Sequence, residues 1–121
     1  MAIRKPAERP YTIRRGDDFN RLIKLRLTLV DDTIITDFTG YVFNFTVKEN
    51  KCATAAILSL TNGSGINIDD VVNGNIIIQI SDTITATLEL GCVVYDLKWT
   101  DTAGNIETIQ EGGIEVIRTI T

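Results

Sequence analysis

Apolar and polar residues alternate with a period of two along most of the chain. Phe19, Ile23, Leu25, Leu27 and Leu29 share one parity, while Asn20, Lys24, Arg26 and Thr28 fill the other. Such alternation marks a strand with one buried face. Arg21 interrupts the apolar set at its start, where a strand end can reach solvent. The cleanest run covers residues 39–50. There Tyr41, Phe43, Phe45 and Val47 point one way and Val42, Asn44, Thr46 and Lys48 the other. Its aromatic and β-branched content suits a pleated surface packed on a core. Further strands are expected at 11–14, 57–60, 66–68, 75–80 and 106–110. Residues 92–99, with Val93, Tyr95, Leu97 and Trp99 in alternation, form another, and a last strand carries Ile114 and Val116 toward Ile120.

The punctuation between these runs is turn chemistry. Gly16-Asp17-Asp18, Asp31-Asp32, Thr61-Asn62-Gly63-Ser64-Gly65 and the stretch from Asp101 to Asn105 all read as bends, and Asn73-Gly74 is a strong hairpin signal. Gly112-Gly113 reads as a break in the final run. Residues 53–56 fit a helical turn, a bulged strand or a link between sheets. In residues 81–90, β-branched Ile84, Thr85 and Thr87 favour a brief turn or 3₁₀ link over a long helix. No helix-length stretch carries a 3.6-residue stripe.

Seven to nine strands separated by short turns predict an all-β, immunoglobulin-like sandwich, mostly antiparallel, with a small barrel as the other closure. The expected core includes Phe19, Phe43, Phe45, Tyr95 and Trp99, since same-parity aromatics on sandwich strands usually pack between the sheets. Tyr95 is also placed to bond back to the backbone, as in a tyrosine corner. Pro6 and Pro10 oppose regular pairing. Residues 1–10 therefore read as a flexible basic N-terminal tail and residues 11–121 as the domain.

At 121 residues the chain has the length of one domain, enough to bury roughly two-thirds of its unfolded surface without staples. Its net charge of −4 disfavours a nucleic-acid partner. The basic residues gather at the start, as Arg4, Lys5, Arg9, Arg14, Arg15, Arg21, Lys24 and Arg26. Arg4, Lys5 and Arg9 are candidates for contact with an acidic partner protein. No secretory leader and no run of 18 apolar residues is visible, so synthesis in a cytoplasm and no membrane span are expected.

Candidate chemistry is thin. Histidine is absent, which removes the usual neutral-pH base and a common metal ligand. Cys52 and Cys92 stand forty apart and read as separate reduced residues, with one bridge between them as the other reading and Cys92 as a small core hydrophobe. Asp17-Asp18, Asp31-Asp32 and Asp69-Asp70 could offer calcium oxygens, but their spacing matches no EF-hand, and aspartate serves turns for its own hydrogen bonds. Lys24, Lys48 and Lys98 lie in alternating strands where a solvent-facing lysine is ordinary. Gly63-Ser64-Gly65 lacks the lysine and helix of a phosphate loop. Arg15-Gly16-Asp17 spells an integrin-type tripeptide at a bend, and nothing else in the sequence supports adhesion. No enzyme activity and no cofactor is expected.

Three stretches in order carry a resemblance. They are YTIRRGDDFN; DFTGYVFNFTVKEN; and Asn73-Gly74-Asn75 with its isoleucine strand, followed by SDTITATLELGCVVYDLKWTDTAGNIETIQEGGIEVIRTIT. This series is similar to the small β-sandwich domains of tailed-phage structural proteins, particularly the N-terminal domain of upper baseplate proteins and related neck, tail and head-associated domains. The matching positions are Gly16, Asp17 and Phe19; Phe38, Thr39 and Gly40; and Thr87, Leu90, Gly91, Tyr95, Asp96, Leu97, Asp101, Gly104 and residues 112–116. Phe38 stands where leucine is usual, and Cys92 where tyrosine is usual. The resemblance implies a non-enzymatic virion protein, an adaptor, collar or decoration subunit. Its partners would be other virion proteins and copies of itself, after synthesis in the bacterial cytoplasm. The receptor-binding region of baseplate proteins has no counterpart in this sequence. The other reading is a carbohydrate- or surface-binding module using aromatics in its loops.

Overall fold

The computed structural model describes residues 7–25, 27–28, 34–35 and 37–118. Among them the strands are β1 (Ala7–Glu8), β2 (Tyr11–Arg15), β3 (Phe19–Lys24), β4 (Leu27–Thr28), β5 (Ile34–Ile35) and β6 (Val42–Lys48). The chain continues through β7 (Ala56–Asn62), β8 (Gly65–Asp70), β9 (Asn75–Ile80), one helical turn α1 (Asp82–Thr85), β10 (Gly91–Thr100) and β11 (Ile106–Arg118). Arg4, Lys5, Asp31, Asp32 and Ile120 lie outside the described residues.

Strands β3, β9, β8, β7, β6, β10 and β11 follow one another edge to edge, and the far edge of β11 takes β1 and then β2. Both of those pairings are parallel, as is the short β7–β8 contact; the others are antiparallel. The β4–β5 pair stands apart as a ribbon of its own. The surface turns over at the β7–β8 corner, where Thr61 and Ser64 exchange two backbone hydrogen bonds of 3.0 and 2.9 Å. Its two ends, β2 and β3, are consecutive in sequence, so the sheet curls until those ends face each other. The result is an all-β, nearly closed sandwich of the immunoglobulin-like kind.

The apolar parity of each strand faces inward. Phe43, Phe45, Leu97 and Trp99 have no exposed area, and Ile13, Ile76, Ile78 and Ile80 are equally enclosed. Phe45 stacks on Tyr95 at 4.9 Å, and Trp99 packs edge-on to Tyr41 at 4.9 Å. Trp99 contributes area rather than polarity, because its buried indole N–H has no acceptor. Phe19, Phe43, Phe45, Tyr95 and Trp99 are thus all buried.

The turn at Arg15-Gly16-Asp17 is sewn to α1 through a side chain with no exposed area, Thr85. The Gly16 N–H donates to Thr85 Oγ1 at 3.1 Å, and Thr85 Oγ1 donates to the Asp17 carbonyl at 2.8 Å. Arg15 Nε donates to the Ala86 carbonyl at 3.2 Å, and Asp18 Oδ1 accepts from the Asp82 N–H at 2.7 Å. Gly16 has φ +88°, a left-handed value that glycine adopts without strain. The tripeptide is therefore a structural joint. Turn carboxylates behave similarly: Asp70 holds the Asn73 side chain at 2.7 Å. Asp101 accepts from the Asn105 and Ala103 N–H groups, which holds its carboxyl below the ordinary range.

Four details differ from the sequence expectation or resolve what it left open. β11 runs unbroken through Gly112 and Gly113, because β10 pairs with it residue by residue from Gly91 to Leu97 before one register shift at Leu97/Lys98. Residues 53–56 are open to three readings by sequence; the structure has a bend at 54–55 leading into β7, whose first pairing carries the register irregularity of a bulged strand at Val47/Lys48. Cys92 is exposed rather than packed, since its parity on β10 is the outward one; Cys52 is also exposed, and both are free. Finally, the sheet already includes Ala7 and Glu8, so residues 7–10 of the segment read as a tail lie against β11.

Candidate interaction site

The N-terminal segment is held by a buried polar cluster. The Arg9 N–H donates to the Glu111 carbonyl at 3.0 Å, and the Arg9 carbonyl accepts from the Tyr95 hydroxyl at 2.6 Å. Gln110, 3 % exposed, donates from its side-chain nitrogen to the hydroxyls of Tyr95 at 3.0 Å and Tyr11 at 2.8 Å. Tyr95 therefore donates to one neighbour and accepts from another, as a buried hydroxyl should. Burial pushes its phenol well above the ordinary tyrosine range, although the Gln110 hydrogen bond pulls the other way. Gly112 makes the close approach possible: a Cβ there would stand 2.4 Å from the Arg9 carbonyl oxygen.

This attachment builds one wall of a groove of about 630 Å³ on the outward face of the sheet. Its floor and sides follow from register. Lys48, Val94 and Gly113 lie in one row across β6, β10 and β11; Thr46, Asp96 and Glu111 lie in the next, continued by Glu8 on β1. The neighbouring carboxylates of Asp96, Glu111 and Glu8 oppose one another along that row, an unfavourable arrangement for a bare sheet face. Lys48, Lys51 and Arg9 supply three positive groups around the same hollow. The lining is thus evenly divided between the two signs. Gly113 leaves the floor bare, since a Cβ there would meet only the Val93 carbonyl oxygen, at 3.8 Å.

The ionisable groups of the groove are the carboxylates of Glu8, Asp96 and Glu111 and the cations of Arg9, Lys48 and Lys51. Among the described residues, no three Cys, Asp or Glu side chains gather as a metal site. No described helix is long and apolar enough to cross a membrane.

Of the candidates read from the sequence, Arg9 stands at the groove rim, exposed in side chain and fixed in backbone. Phe19, Phe43, Phe45, Tyr95 and Trp99 serve the core, and Lys24 and Lys98 do not line this groove. Lys48, Lys51, Asp96, Glu111 and Gly113 were not legible as a group, because each occupies an ordinary polar or glycine position on its own segment. The one available signal was glycine within a strand, which marks close backbone approach as well as breaks. Of the eight aromatic side chains, six are buried, and Tyr11 and Tyr41 are half-buried.

No family profile matches the chain, and no curated protein sequence matches it. Among solved structures, CopC from Methylosinus trichosporium OB3b aligns over 93% of this chain and 87% of its own, with a TM-score of 0.45 and 11% identity. Murine CRIg aligns over 98% of both chains, with a TM-score of 0.38 and 13% identity. Likenesses this distant transfer no residue role to the groove.

Proposed function

We propose that this chain is a non-enzymatic binding module that makes protein or surface contacts through the mixed-charge groove on its sheet face. The observation that carries the reading is the groove itself: opposed carboxylates, three nearby cations and a floor left bare at Gly113. A partner bringing charges of both signs can satisfy both sets, and complementary charge selects register as well as affinity. The biological setting we propose is a tailed-phage particle. There the chain would act as an adaptor, collar or decoration subunit beside other virion proteins and copies of itself. That setting rests on the ordered sequence resemblance from Tyr11 onward, and symmetric multiple copies would accompany it.

Gly113→Val tests the reading. Valine suits an extended strand and its side chain occupies the floor of the groove. Quantitative mass spectrometry of purified particles should find the wild-type chain at a fixed ratio to the major capsid protein. The variant should be folded and strongly depleted. A wild-type chain absent from particles removes the virion setting. A variant incorporated at the wild-type ratio removes the groove from the docking surface.

A further inference from the structure

The opening between the two ends of the curled sheet presents a second surface, which shares Glu8, Arg9 and Pro10 with the sheet-face groove and differs from it in every other lining residue. It is a hollow of about 550 Å³ between the β1–β2 segment and β3. Among the described residues, β3 pairs with β9 alone. The Leu25 N–H donates to the Gly74 carbonyl at 2.7 Å, extending the register in which Lys24 faces Asn75. Hydrogen-bonding direction alternates along an antiparallel strand. The main-chain groups of Ile23, Arg21 and Phe19 therefore turn toward β9, and those of Asn20, Leu22 and Lys24 turn outward. The outward edge has donors and acceptors at strand spacing and, among the described residues, no strand upon it.

The side chains around this edge are cationic. Arg9, Arg21 and Lys24 line the hollow with Glu8 as their one acidic neighbour, and exposed Leu22 supplies apolar area. Arg21 occupies the inward parity between buried Phe19 and Ile23, yet it is exposed. Its guanidinium lies 5.6 Å from the centre of the Tyr11 ring and 5.4 Å from that of Phe19, bridging the mouth of the opening. The surrounding sequence sharpens the contrast. Residues 1–26 hold eight of the twelve Lys and Arg but three of the sixteen Asp and Glu, a net of +5 within a chain of net −4.

Inward-pointing or lysine-rich edges repel strands that bring no compensating charge, including the same edge of a second copy. They admit one that does. We infer that the free edge of β3 takes an extended acidic segment of a partner protein, added as a further strand across the opening. Main-chain bonds to Asn20, Leu22 and Lys24 would supply affinity; Arg9, Arg21 and Lys24 would select carboxylates.

The probes are two fluorescein-labelled hexapeptides, one alternating glutamate with valine and one alternating lysine with valine, and a labelled oligothymidylate. Anisotropy with the full chain at low salt should show the glutamate peptide binding at least about tenfold more tightly than the lysine peptide, weakening as salt rises. Amide exchange should slow at Asn20, Leu22 and Lys24. Arg21→Glu with Lys24→Glu should weaken that binding at least about tenfold with only a small change in melting temperature. Leu22→Pro should remove it by deleting an outward donor that β9 does not use. If Leu22→Pro unfolds the chain, the double variant decides alone. Equal binding of the two hexapeptides, an unaffected double variant, protection elsewhere in the sheet, or binding confined to the oligothymidylate would each overturn the assignment. Gly113→Val should leave peptide binding unchanged, which separates this edge from the groove.

Discussion

The two ends of the curled sheet are built from neighbouring stretches of sequence and finished in opposite ways. At the β11 end, Arg9 and Tyr11 are tied down through Tyr95 and Gln110 in a closed set of hydrogen bonds. At the β3 end no described strand pairs with the outward edge, and Arg21 and Lys24 line the hollow beside it. Both methods manage an edge. A satisfied polar cluster rigidifies one end because breaking any member leaves a buried group unpaired. Charge prevents unspecific pairing at the other end and keeps the edge accessible.

The sharpest break in this contrast is Gly112→Val. Its side chain meets backbone at Arg9 and must push the N-terminal segment away, which also parts Arg9 from Tyr95. The expected loss is about 3 kcal/mol of stability, read by chemical denaturation. Fast amide exchange should spread over Arg9 and Tyr11 while β3 is unaffected. A loss of protection spread evenly over the whole sheet would mean that the two ends are one cooperative unit.

Tyr95→Phe removes less. It keeps the ring stacked on Phe45 and leaves the Arg9 carbonyl without its donor, for an expected loss of about 1–3 kcal/mol. The substitution also has a pH signature. The folded chain holds the Tyr95 proton more tightly than the unfolded chain does. Wild-type stability should therefore be intact below pH of about 10 and fall above it, as the unfolded tyrosine ionises first. The phenylalanine variant should fall less steeply in alkaline denaturation. Equal slopes for the two proteins would show that the Tyr95 hydroxyl is not buried in solution.

The smallest expected effect is at the guarded end. Arg21→Glu changes stability by only about 0.5 kcal/mol, since it exchanges one exposed charge for another. A large loss on thermal melting would show that the guanidinium over Tyr11 and Phe19 is a clamp holding the opening together, and the contrast between the ends would fail.

Much of the architecture is legible in local patterns of the sequence. Period-two alternation at 42–48 and 92–99 placed both central strands and turned Phe43, Phe45, Tyr95 and Trp99 inward. The turn chemistry at Asn73-Gly74 and in residues 101–105 placed two of the reversals. A one-residue slip would move every apolar side chain to the wrong face, so such patterns constrain strand register strongly. Gly112-Gly113 shows where that reading stops. Glycine weakens a strand by local rules, yet here one glycine admits the Arg9 carbonyl and the next bares the floor of a groove. Cys92 teaches the same lesson: an apolar run implied burial, and its parity on β10 sent it outward.

The sequence by itself determined the all-β class, the inward set of aromatics and the concentration of positive charge near the start, because these depend on residue type and local periodicity. Only the tertiary structure decided that Glu8, Asp96 and Glu111 share a row, that Thr85 locks the Arg15-Gly16-Asp17 turn, and that β3 pairs with β9 alone among the described strands. Those outcomes depend on which strands become neighbours. Neighbours separated by some seventy to ninety residues are chosen by closure of the whole sheet over its core, which no local pattern encodes.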